Sequence, residues 1–89
     1  MNTRTDSLNV LRTAKVGSML LIVQKDGHGK RINEFLRVSC RTTERGRHGS
    51  TVLTLTNAIR ENGASFEFEV DDATYDSFGV VAVHRVLDR

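Results

Sequence analysis

The chain has 89 residues and a net charge of +2, with 38% hydrophobic and 27% charged residues, which is the composition of one soluble domain and not of a disordered segment. A domain this short buries only about 60% of its unfolded surface, which leaves little room for an enzyme-sized cleft and the shell that holds one. No apolar run approaches the ~18 residues of a membrane span or the core of a secretory leader. Cys40 is the sole cysteine, so an internal disulfide is excluded and a cytoplasmic location is expected.

Residues 1–4 read as a disordered tail and residues 5–89 as a single small domain. Residues 6–15 predict a short helix, with Asp6 or Ser7 as N-cap and Leu8, Leu11 and Ala14 on one face. A strand follows at residues 19–24, then the glycine-punctuated turn Lys25-Asp26-Gly27-His28-Gly29-Lys30. Pairing Gln24 with Arg31 sets Val23 against Ile32 and Met19 against Leu36 on the core side. Leu20, Ile22 and Phe35 then form an outer patch, which the helix is expected to cover.

The second turn lies in Arg45-Gly46-Arg47-His48-Gly49. Across it Leu36, Val38, Cys40 and Thr42 are expected to face Ile59, Asn57, Leu55 and Leu53. Cys40 would then point inward, as a small hydrophobe and not as an activated thiolate. Asn62-Gly63 supplies two residues that tolerate positive φ, as a two-residue hairpin loop requires. That loop pairs Ile59 with Phe66, Asn57 with Phe68 and Leu55 with Val70, with one face mostly apolar and the other polar. Residues 71–76 predict a turn or one helical turn, with Asp72 as cap. Residues 80–87 are apolar on both faces and are expected to be central or to close a barrel.

The expected fold is therefore mainly all-β. It is a five-stranded, strongly curved antiparallel meander, an SH3-like or Sm-like small barrel, with a short N-terminal helix. An open sheet with the helix packed on it is the alternative. The outline of a helix followed by five strands resembles the Sm-like family, and Lys25-Asp26-Gly27 after an apolar strand resembles its first motif. The family's Asn-containing second-strand signature and its Arg-Gly motif before the last strands are absent.

Charge is uneven along the chain. Residues 25–48 hold seven Lys/Arg against three Asp/Glu, whereas residues 61–78 hold six Asp/Glu and no Lys/Arg. The register above would let Arg37 and Arg41 pair with Glu67, Glu69 and Asp71 across the outer face, each pair worth about 0–1 kcal/mol. The turn cations are not absorbed this way. Lys25, His28, Lys30 and Arg31 share one turn, and Arg45, Arg47 and His48 share another. Glycines beside them offer backbone N–H groups as well as positive charge, which suits phosphate contact.

Little else carries chemistry. His28, His48 and His84 are scattered and no second cysteine exists, so neither a metal site nor any other cofactor is expected. Asp71, Asp72 and Asp76 lack the ligand spacing of a calcium loop. Gly27-His28-Gly29-Lys30 resembles a phosphate loop but lacks the spacing and the following helix of a Walker motif. Phe35, Tyr75 and Phe78 are candidate exposed platforms for base stacking.

The expectation is a non-enzymatic binding module contacting nucleic acid through the basic turns. The alternative is a protein-interaction or inhibitor module, a phage-like small regulator. It would bind through a sheet edge or through Glu67, Glu69, Asp71 and Asp72 of the acidic segment. Self-association along residues 80–87 stays open.

Overall fold

The computed structural model describes residues 3–43, 49–59 and 65–87. Its order is α1 (Arg4–Thr13), β1 (Met19–Lys25), β2 (Arg31–Thr42), β3 (Val52–Asn57), β4 (Ser65–Glu69), α2 (Asp72–Ser77) and β5 (Val80–Leu87). All five strands form one antiparallel sheet in the order β4-β3-β2-β1-β5. The expected mainly-β fold with a short N-terminal helix is present, and the sheet is open. The meander covers the first four strands, after which the chain crosses back and β5 lies beside β1. A strand expected to be central or barrel-closing is thus an edge.

The helix begins earlier than its sequence implied. Thr3 and Arg4, read as part of a tail, are the N-cap and first residue of α1. Thr3 Oγ1 accepts from the Asp6 N–H and Asp6 Oδ2 accepts from the Thr3 N–H, a reciprocal capping box. Asp6 is therefore the third helical residue and not the cap. These bonds hold its carboxyl below its ordinary value of 3.8, the Thr3 backbone N–H being the main cause.

Leu8, Leu11 and Ala14 pack into one core with Leu20 and Ile22 of β1, Leu36 and Val38 of β2, Leu53 and Leu55 of β3, Phe68 of β4 and Val83 of β5. Among the described residues these form one apolar cluster, to which α1 contributes one face. The outer patch expected from Leu20 and Ile22 does not exist, because β1 pairs with β2 one residue away from the predicted register. Leu20 faces Leu36, Val23 faces Asn33 and Lys25 faces Arg31. A one-residue slip exchanges the two faces of a strand. The cause is the turn, where the Asp26 N–H donates to Lys30 O and extends the ladder past Lys25. Gly29, at φ 79°, closes the short loop that remains.

Two further registers differ from expectation. Between Val38 and Cys40 a bulge takes Ser39 out of the register with β3, where its hydroxyl instead donates to Thr54 O, so that Val38 faces Leu55 whereas Cys40 faces Thr54. The extra residue turns Cys40 outward, and its thiol is exposed. On the other side of β3, Leu55 faces Phe66 and Leu53 faces Phe68, four positions off the expected pairing; Leu53, Leu55, Phe68 and Val70 are inward as expected, but Ile59, expected on that face, is exposed. The predicted turns at Arg45 to His48 and at Asn62-Gly63 lie outside the described residues.

The β5 edge is closed by side chains. Ser7, fully buried on α1, accepts the Val83 N–H on its Oγ at 3.1 Å. Tyr75 of α2, buried in the core, donates its hydroxyl to Val81 O at 3.0 Å. Asp71 caps α2 by accepting the Thr74 N–H, one residue before the expected cap. Phe78 then stacks on Phe66 and packs against Phe68, bridging the gap between β4 and the start of β5. Gly79 makes the passage into β5 at φ 66°, where a Cβ would come within 2.6 Å of Lys25 O.

Replacing Ser7 by Ala removes the acceptor for the buried Val83 N–H, and chemical denaturation is expected to register a loss of about 1–3 kcal/mol. A pH effect follows from the capping box. Because the folded pKa of Asp6 is depressed, its contribution is complete above the ordinary carboxylate value and is lost as pH falls below it. Thermal melts of Asp6→Asn are expected to lie below the parent at neutral pH, the gap closing as pH falls through the depressed carboxyl value.

Candidate nucleic-acid interface

The turn between β1 and β2 is built around one carboxylate. Asp26 Oδ1 accepts from the His28 N–H at 2.8 Å and from the Lys30 N–H at 2.9 Å. Its own carbonyl accepts from the Gly29 N–H at 3.0 Å. The residue type explains the geometry, since aspartate bonds its own backbone a few residues on. The consequence for binding is specific. The N–H groups expected to be offered to phosphate are largely engaged by Asp26, which leaves the side chains as the donors.

Lys25, His28, Lys30 and Arg31 are all exposed around this turn. Lys25 and Arg31 are direct cross-strand partners, so two cations flank the base of the hairpin. Among the described residues no carboxylate forms an ion pair with Lys25, Lys30 or Arg31. Arg45, Arg47 and His48, the second group of candidate residues, lie outside the described residues.

Among the described residues, Arg4, Arg37, Arg41 and Arg85 are committed within the protein. Arg37 donates to Gly17 O at 2.8 Å and Arg41 donates to Ala14 O at 2.9 Å. Both hold the connection between α1 and β1. The expected rows pairing Arg37 and Arg41 with acids of the later strands are absent, because the registers place Arg37 beside Thr56 and Arg41 beside Leu53. Arg85 donates to Thr13 Oγ1. Arg4 pairs with Asp72 and Asp76 and lies 5.2 Å from the centroid of the Tyr75 ring.

The alternative acidic surface is also engaged within the fold. Asp71 caps α2, Asp72 pairs with Arg4, and Glu69 accepts the Ser50 hydroxyl. Glu67 is exposed on β4 and shares a shallow cavity of about 340 Å³ with Val52, Glu69 and Thr74. The stacking platforms fare differently from expectation. Tyr75 is core, Phe78 lies against two other rings, and Phe35 is half-buried on the outer face opposite Leu21.

Among the described residues no three His, Cys, Asp or Glu side chains converge as metal ligands, and no helix is long and apolar enough to cross a membrane. His28 is in the hairpin turn and His84 is on β5. Replacing Asp26 by Ala removes both side-chain bonds of the turn. The expected loss is about 0.5–1.5 kcal/mol by denaturation, with faster amide exchange at His28 and Lys30. The chain matches no protein-family model, no curated protein and no solved structure.

Proposed function

We propose that this chain is a non-enzymatic binding module that contacts nucleic-acid phosphates through the β1–β2 turn. Lys25, Lys30 and Arg31 supply the charge, His28 adds a hydrogen-bonding edge, and Arg45, Arg47 and His48 are candidates for a second contact. One observation supports the reading above the others. Arg4, Arg37, Arg41 and Arg85 have partners inside the protein, whereas the turn cations are exposed and make no ion pair with a described residue. The Asp26 bonds hold the backbone of the turn, so its cations project from an ordered hairpin.

Contact of this kind is electrostatic and largely independent of sequence. Fluorescence anisotropy with short single- and double-stranded DNA and RNA at 50 and 200 mM salt is the test. Affinity is expected to fall with salt, with a logarithmic slope of about 2–3 if three phosphates are neutralised. Each charge-removing change at Lys25, Lys30 or Arg31 should lower that slope by about one. Absence of binding at 50 mM salt, or equal binding by a Lys25→Glu, Lys30→Glu, Arg31→Glu variant, would refute the proposal.

A further inference from the structure

β2 is twelve residues long, and its two neighbours share it unequally. β1 pairs with Arg31 through Arg37, whereas β3 pairs with Leu36 through Thr42. The first half of β2 therefore has a paired side and a side that β3 does not reach. The reason is local. After Ala58 donates to Phe35 O, the Ile59 N–H donates to Asn57 Oδ1. This Asx turn leads the chain off the ladder at Asn57, where β3 ends.

Hydrogen-bond alternation identifies the groups that are left. Along an antiparallel strand, the N–H and C=O of one residue point to the same side and successive residues alternate. Lys30 O bonds toward β1, at Asp26, and Phe35 O bonds toward β3, at Ala58. Arg31 and Asn33 have the parity of Phe35, so their backbone groups face away from β1. No described residue bonds them there. A shallow cavity of about 400 Å³ runs along this stretch, lined by Ile32, Asn33, Glu34, Phe35, Asn57 and Ile59. Ile32 is 42% and Ile59 is 74% exposed, unusual for large aliphatic residues beside an open backbone edge.

We propose that the open edge of β2 over residues 31–34 is a strand-addition site for an extended peptide of a protein partner, with apolar side chains and an acidic end. The backbone groups of Arg31 and Asn33 require an extended backbone as complement. Ile32, Phe35 and Ile59 supply apolar contact for alternate side chains. Lys25, Lys30 and Arg31 at one end select a carboxylate by charge. A second copy cannot offer residues 81–83 of its β5 as the added strand, since Ser7 and Tyr75 already occupy the edge groups of Val81 and Val83. The proposal rests on the backbone edge and is independent of nucleic-acid contact.

The test uses the whole chain and a fluorescein-labelled six-residue peptide of alternating valine and threonine that ends in two glutamates. Without peptide, amide exchange at Arg31 and Asn33 is expected to be fast while Ile32 and Glu34 are protected. With peptide, Arg31 and Asn33 should slow at least tenfold. The same peptide methylated on alternate backbone nitrogens should bind at least tenfold more weakly, although its charge is unchanged. Asn33→Pro removes an N–H that β1 does not use, on a strand edge where proline is tolerated, and should have the same effect. Ile59→Ser, at an exposed position, should weaken binding about fivefold if Asn33→Pro does not fold. Protection of Arg31 and Asn33 before peptide is added, whether by residues 60–64 or by a second copy in solution, would overturn the proposal. So would failure of the peptide to bind, or equal binding of the methylated peptide.

Discussion

An open sheet has two edges, and the backbone groups along each must find partners or water. The β5 edge is met by two side chains from two different helices. Ser7 on α1 takes the Val83 N–H, and Tyr75 on α2 reaches Val81 O. Both residues are buried, so these bonds replace water that has been excluded. Ser7 can do this only because Leu8 and Leu11 draw α1 into the core beside Leu20 and Ile22. The helix is thus part of the interior and the cover of an edge at once, which explains how so small an open sheet hides its last strand from other chains.

The same constraint organises the charge. Once α1 is seated, the segment that returns from it to β1 must be held, and Arg37 and Arg41 do so by donating to Gly17 O and Ala14 O. Arg4 fastens the other end of α1 to Asp72 and Asp76 of α2. Part of the positive charge and part of the acidic segment are therefore used as fasteners of the two helices, Arg4 against Asp72 and Asp76 and the two strand arginines against backbone carbonyls. The turn cations Lys25, Lys30 and Arg31 are left outside this arrangement, and they adjoin the half of β2 that β3 leaves open. Exposed cations and an unpaired stretch of backbone thus lie at the same end of the described sheet.

Much of this was legible in the residue pattern. The strands, the short N-terminal helix, the inward set Leu36, Val38, Leu53, Leu55 and Phe68, and the basic turn all follow from alternation, glycine placement and composition. The errors were of register and of the place of β5 in the sheet, not of element. Three of them coincide with a local irregularity of the chain. Asp26 reshapes the first turn and exchanges the faces of β1, the bulge at Ser39 turns Cys40 outward, and Asn57 ends β3 early and exposes Ile59. Apolar alternation cannot register an added residue, and local bonds of this kind compete with the ladder without changing the hydrophobic pattern.

Composition and spacing alone settle which residues are apolar often enough to form strands, which turns carry charge, and that a single cysteine cannot form an internal disulfide. That β5 pairs with β1, that a serine and a tyrosine seal its edge, and which arginines act as fasteners emerge only once the elements are packed. These are contacts between residues as far apart as Ser7 and Val83. They depend on where a helix sits on a twisted sheet, and that position is set by packing over the whole core, which no local pattern encodes.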